Sequence, residues 1–177
     1  MRESDPVQND RLTVANVGDS RAVLGRKEAG ECKFKALHRT HVPKELDEAE
    51  RVAKAGGEIR KCDAGSIAPQ RVFMKHSPAP GLAMTRSMGD FFATGAGISF
   101  EAEIVEHVVS PEDEVLIVAS DGVWEFMSET EVVEIALNPE RDIKECAKDI
   151  VARAHDFWVS NSIPSDDITV VLVYLHT

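Results

Sequence analysis

Five apolar residues in unbroken succession, Val115-Leu116-Ile117-Val118-Ala119, run directly into Ser120-Asp121-Gly122. Apolar side chains on consecutive positions of a strand point to opposite faces, so both faces must be covered. A chain carrying such a run has to build layers around at least one sheet. The same pattern recurs in reverse near the C-terminus, where Asp166-Asp167 opens into Ile168-Thr169-Val170-Val171-Leu172-Val173. Removing a carboxylate from water is costly unless it is paired. Each acid is therefore expected at the point where a buried strand reaches the surface.

The remaining periodicities give a mixed set of elements. "RLTVANV" at 11–17 and "RAVLGR" at 21–26 read as strands, with Gly18-Asp19-Ser20 between them as a hairpin signal. A third short strand is expected over 33–38, and a helix over 43–57 with Pro43 in its first turn and Gly56-Gly57 at its end. Leu46, Ala49, Val52 and Ala53 share the apolar face of that helix, and "ELDEAER" forms its solvated face. Residues 70–74, 102–109, 114–120 and 166–176 read as further strands, the last of them buried. The segment around 81–100 shows no clean period and is expected to be irregular. A helix over 128–137 starts with the capping pair Ser128 and Glu131, and a longer one over 139–159 carries Ile143, Ala147, Ile150, Val151, Ala154 and Phe157 on one stripe. Helices and strands do not alternate, so the fold class is α+β with antiparallel sheets.

Composition narrows the function classes. With 177 residues, 43% hydrophobic and 29% charged, the chain reads as a soluble globular protein of ordinary domain size. No apolar run approaches the roughly 18 residues of a membrane span, and the polar start "MRESDPVQNDR" is no signal peptide. Cys32, Cys62 and Cys146 are odd in number and widely spaced, which points to reduced thiols and an intracellular setting, cytoplasmic or nuclear. A net charge of -11 disfavours nucleic acid and anionic membranes as partners, and an anionic substrate would need a metal ion or an arginine as counter-charge.

Asp19, Asp121 and Asp166 occupy equivalent places, each where a strand ends or begins. Carboxylates held there on a rigid frame suit Mg²⁺ or Mn²⁺, hard cations that take a few carboxylates and keep several waters. The same dipeptides are also common turn and cap chemistry, and spacing alone leaves both readings open.

"ANVGDSRAVL", "RVAKAGGEI", "GLAMTRSMGD", "IVASDGVWEFMS" and "DDITVVLV", in this order, resemble the metal-dependent protein phosphatases of type 2C. The resemblance runs from about residue 11 to the C-terminus. It implies an antiparallel β-sandwich flanked by helices (α-β-β-α). It also implies hydrolysis of phosphoserine and phosphothreonine in phosphoprotein substrates by a metal-activated water, with two Mg²⁺ or Mn²⁺ ions and a weaker third in some members. On this resemblance Asp121 binds metal in the dinuclear centre and Asp166 binds the other ion. Asp19 holds the third ion together with Asp121, and Glu125 lies near it. Gly89-Asp90 is a structural loop, and Asp167 stands where Asn is commoner.

The resemblance also implies an upstream Glu-Asp pair, a phosphate-binding arginine and an Asp-Gly-His-Gly motif, and residues 1–30 contain none of these. The expectation is a C-terminal portion of a phosphatase domain over 11–177, incomplete at the N-terminus, after a flexible lead-in over 1–10. Self-association through exposed strand edges would follow. The alternative is a non-catalytic, pseudophosphatase-like scaffold. Thr40 in "THVP" stands where the family often has an acid. His41 and His107 are expected to face solvent or be hydrogen-bonded, Arg71 and Arg86 to pair with carboxylates, and Trp124 and Phe126 to pack beside Asp121. Cys62 has no nearby base that would make it a nucleophile.

Overall fold

The computed structural model describes residues 11–61, 70–161 and 166–175. The expected lead-in and Cys62 lie outside the described residues. In chain order the strands are β1 (Arg11–Asn16), β2 (Arg21–Glu28), β3 (Glu31–Ala36), β4 (Gly57–Lys61), β5 (Gln70–Met74), β6 (Pro80–Leu82), β7 (Glu103–Val108), β8 (Asp113–Ala119) and β9 (Val170–Tyr174). The helices are α1 (Leu46–Lys54), α2 (Asp121–Trp124), α3 (Glu129–Ala136) and α4 (Ile143–Ser160), with a 3₁₀ turn over Phe91–Ala96. The described residues divide into two compact units, one drawn from 11–15, 20–38, 104–161 and 166–175, the other from 16–19, 39–61 and 70–103.

The first unit is built on the sheet β3-β2-β8-β9, antiparallel at every pair. Val115, Ile117 and Ala119 of β8 point to one face, where Val132, Val133 and Ala136 of α3 and Ile150 and Ala154 of α4 bury them. Each aliphatic side chain taken fully out of water there contributes roughly 1.5–3 kcal/mol. On the other face Ala22, Leu24 and Leu37 gather Leu116 and Leu175, together with Leu12 and Val14 of β1 and Val105 of β7. Strands β1 and β7 form their own two-stranded sheet. Helices, a four-stranded sheet and a second sheet thus lie in layers, as an α+β sandwich requires.

Several local expectations are corrected. β1 and β2 do not form a hairpin, because β1 pairs with β7 while β2 pairs with β3 and β8. Gly18-Asp19 therefore connects two sheets. The second face of β8 is only partly covered, since Val118 stays 39% exposed. β9 is an edge strand and not a buried one, with Val171 and Val173 exposed. Its even alternation of covered and open side chains was hidden because valine fills both kinds of position.

Helix α3 begins as expected, Ser128 Oγ accepting from Glu131 N at 3.3 Å. Helix α4 starts at Ile143, past Pro139, because Asp142 and Glu145 form a reciprocal capping box: Asp142 Oδ1 accepts from Glu145 N at 2.8 Å, and Glu145 Oε2 from Asp142 N at 3.1 Å. Its buried stripe is Cys146, Ile150, Ala154 and Trp158, and Phe157 is half-exposed. The stripe is rotated by one residue at its end because Trp158 has a polar partner to reach.

The second unit holds the antiparallel sheet β4-β5-β6, helix α1 and the 3₁₀ turn. Val52, Val72, Ala93, Ala96 and Ile98 form its core. Helix α1 begins after Glu45, so Pro43 precedes it instead of occupying its first turn. Leu46 is 82% exposed, while Glu48, expected on the solvated face, is 1% exposed. Donors explain the inversion. Thr85 Oγ1 donates to Glu48 Oε2 at 2.6 Å, Arg86 Nη2 to Oε1 at 2.6 Å, and Arg51 Nη2 to Oε2 at 2.8 Å. Burial alone would raise the Glu48 pKa, but bonds from Arg86, Arg51 and Thr85 outweigh it and hold the carboxyl well below the usual carboxylate range.

Candidate metal centre

The ladder between β8 and β9 ends at the pair Ala119 and Val170. Beyond it the two chains stay together. Ser120 N donates to Thr169 O at 3.1 Å, and Ser120 Oγ accepts from Thr169 N at 3.1 Å and donates to Asp167 O at 3.0 Å. One hydroxyl, using a donor and an acceptor at once, staples the segment that carries Asp121 to the segment that carries Asp166 and Asp167.

Gly122 makes that approach feasible. A Cβ built there would stand 2.5 Å from Asp167 O and 3.1 Å from its carbonyl carbon, closer than real side chains come. Two indoles fix the same turn from within. Trp124 Nε1 donates to Ala119 O at 2.9 Å, and Trp158 Nε1 donates to Gly122 O at 2.8 Å. Phe126 packs edge-on against Trp158 at 4.9 Å between centroids, and the Arg21 guanidinium lies 5.8 Å from the Trp124 ring while pairing with Glu129. Trp124 is buried at this turn, while the ring of Phe126 packs on Trp158 and Phe157.

Asp121 is the first residue of α2, with Ser120 at the N-cap position. Glu125 follows one turn later, its N–H donating to Asp121 O at 2.9 Å, and is exposed. Residues four apart lie on the same side of a helical turn. Asp166 is exposed, and its Oδ1 accepts from Asp167 N at 2.8 Å. The first unit therefore brings together the turn bearing Asp121 and Glu125 and the segment bearing Asp166. Asp19 belongs to the second unit, on the turn after β1.

Among the described residues no group of three or more His, Cys, Asp or Glu side chains is gathered closely enough to hold a metal ion. In chemistry the donors still fit a hard divalent cation. Mg²⁺ is commonly bound by one or two carboxylates, with water and phosphate oxygens completing its shell. Two acid-bearing loops stapled side by side offer such a partial set.

The other residues singled out by sequence resolve into structural roles. His107 is hydrogen-bonded: Nε2 lies 2.8 Å from Asp113 Oδ2, and Asp113 is fully buried. Arg86 pairs with Glu48 as expected. Among the described residues Arg71 pairs with no carboxylate; its Nη1 donates to Gly81 O at 2.9 Å. In the Gly89-Asp90 loop, Asp90 accepts from Ser87 Oγ. His41 is buried and hydrogen-bonded. The sequence reading missed Ser120 and Trp158. The position of Ser120, between an apolar strand and its terminal acid, was the available signal. Trp158 gave none, because its partner is a backbone carbonyl.

The structure defines an α+β fold of antiparallel sheets with acid-bearing segments at strand ends, and comparison with known proteins resolves that fold to a family. The family model described as Protein phosphatase 2C matches residues 5–163. The chain is 36% identical over 173 residues to "Probable protein phosphatase 2C 72" of Arabidopsis thaliana, covering 95% of this chain and 51% of that protein. It is 37% identical over 169 residues to "Probable protein phosphatase 2C 64" of Oryza sativa subsp. japonica, covering 93% and 39%. The serine-threonine phosphatase 2C from Toxoplasma gondii shares the fold at a TM-score of 0.80 and 22% identity, over 93% of this chain and 54% of that one. A C. elegans sex determining protein shares it at 0.76 and 24%, over 95% and 38%. The chain belongs to the protein phosphatase 2C family. It spans between 36% and 53% of the length of these and six further curated relatives. Among the described residues no helix is long and apolar enough to cross a membrane.

Proposed function

We propose that the residues of this chain serve a Mg²⁺- or Mn²⁺-dependent phosphatase acting on phosphoserine and phosphothreonine in proteins, with Asp121 and Asp166 on a cation. The observation that carries this reading is the Ser120 staple, which ties the two acid-bearing segments into one surface. A divalent cation bound there would supply Lewis-acid chemistry, neutralising phosphate charge and lowering the pKa of a water. Adjacency of the two segments favours a single ion shared by Asp121 and Asp166 over the division between two ions that the resemblance implies. Glu125, on the same turn as Asp121, adds negative charge on that side. Asp19 would serve as a ligand of a weaker ion.

The chain's own part is positional. The indoles of Trp124 and Trp158 hold carbonyls on either side of Asp121, so its backbone is set before any ligand arrives. Such preorganisation removes an ordering cost from binding. The phosphate-binding arginine and the general acid belong, on this reading, to upstream residues of the kind that the resemblance implies.

The test is hydrolysis of p-nitrophenyl phosphate by this chain joined to upstream residues of that kind, with Mn²⁺, with chelator, and with Asp121→Asn. The expected result is turnover that needs Mn²⁺ and falls by about a hundredfold or more in the variant, the order of loss when a central electrostatic group is removed. Turnover indifferent to chelator sinks the metal reading. A folded protein that binds Mn²⁺ and hydrolyses nothing favours the scaffold alternative.

A further inference from the structure

Gly18 precedes Asp19 and has a φ of 111°, in the region that L side chains rarely adopt. The turn is gripped from both sides by one residue. Gly18 N donates to His41 Nδ1 at 3.1 Å, and His41 N donates to Gly18 O at 3.0 Å. His41 is fully buried. Its own carbonyl accepts from Thr85 N at 2.8 Å, so its backbone is anchored to the polar network around Glu48. Asn16 Nδ2 adds a donor to Gly18 O at 3.2 Å and another to Arg39 O at 2.9 Å. Because Nδ1 accepts, the ring proton sits on Nε2, which lies 3.4 Å from Glu103 Oε2.

We infer that His41 is a positioning residue: its ring and backbone clamp the Gly18 peptide and thereby set the direction of the Asp19 carboxylate. The inference rests on the reading of Asp19 as a cation ligand only for its functional consequence. The clamp itself stands on the geometry of the second unit. Loss of a group that orients a metal ligand from behind typically lowers metal affinity about ten- to a hundredfold. An acceptor at Nδ1 is the essential feature, since a buried N–H without a partner opens the turn.

Two replacements separate the acceptor from the ring. His41→Asn places Oδ1 where Nδ1 stood, and His41→Phe keeps an aromatic ring without the acceptor. The readouts are amide hydrogen exchange at Gly18, Mn²⁺-induced broadening of Asp19 resonances, and the coupling across the N–H···N bond between Gly18 and His41 in the unmodified protein. The expected results are a resolved coupling, Gly18 exchange about tenfold or more faster in His41→Phe, and recovery in His41→Asn. Broadening at Asp19 should fall and recover in parallel. No coupling in the folded protein, or unchanged Gly18 exchange in His41→Phe, overturns the clamp. If broadening at Asp19 is missing from the unmodified protein while the coupling and exchange behave as stated, the clamp holds and the metal reading of Asp19 fails.

Discussion

Replacement of Glu48 by alanine is expected to cost the folded protein roughly 3–5 kcal/mol, the usual penalty for breaking a buried ion pair from one side. The carboxylate accepts from Thr85, Arg51 and Arg86, and its removal leaves two guanidinium groups with carbonyl partners but without this counter-charge, at a site that is 14% exposed at Arg86 and 30% at Arg51. A urea-denaturation midpoint followed by tryptophan-independent circular dichroism measures the loss. A cost below about 1 kcal/mol, typical of surface pairs, would show that the network is no keystone of α1.

The same group fixes a pH dependence. Its pKa is depressed in the folded protein, so its contribution is complete above the unfolded carboxyl value of 4.5 and is lost as pH falls toward the folded value. Across that window stability should fall by up to about 1.4 kcal/mol per pH unit from this group. Glu48→Gln removes this component, so the difference between the two proteins should shrink as pH drops below 4.5. Asp113, whose burial would raise its pKa but whose bonds from His107 and Ser110 lower it, contributes a slope with the same sign in both proteins and cancels from the comparison.

Gly122→Ala is expected to damage the candidate site more than its size suggests. The new Cβ meets the Asp167 carbonyl at 2.5 Å, and a backbone atom cannot swing aside as a side-chain tip can. The Ser120 bonds to Asp167 and Thr169 must stretch, separating the segment of Asp166 from the turn of Asp121. Overpacking of this kind costs about 1–3 kcal/mol, and Mn²⁺ affinity should drop by about tenfold or more. Gly95→Ala is the control, since its Cβ would find Met74 Sδ at an ordinary 3.8 Å. Mn²⁺ affinity equal in Gly122→Ala and Gly95→Ala would show that close approach at Gly122 does not govern the site.

What could be read in advance divides along physical lines. The strands at β2, β5 and β8 and the helices α3 and α4 announced themselves because local periodicity and caps dictate them. Pairing was less legible. Gly18-Asp19 has hairpin chemistry, yet the partner of β1 is β7, nearly a hundred positions away. The inversion at α1 was also hidden: Leu46 is open and Glu48 buried because Arg86 and Thr85, distant in sequence, supply the donors. Asp121 and Asp166 were visible as acids at strand ends. Their adjacency was not, since it depends on antiparallel pairing of β8 with β9 and on one serine hydroxyl.

The most direct test of the central claim, that the Asp121 and Asp166 segments form one cation site, is a Mn²⁺ titration followed by electron paramagnetic resonance. The free-ion signal should be quenched by the unmodified protein, and either Asp121→Asn or Asp166→Asn alone should restore it. Tight binding that survives Asp166→Asn, or two independent binding events of which one is lost with Asp121→Asn and the other with Asp166→Asn, would contradict the account.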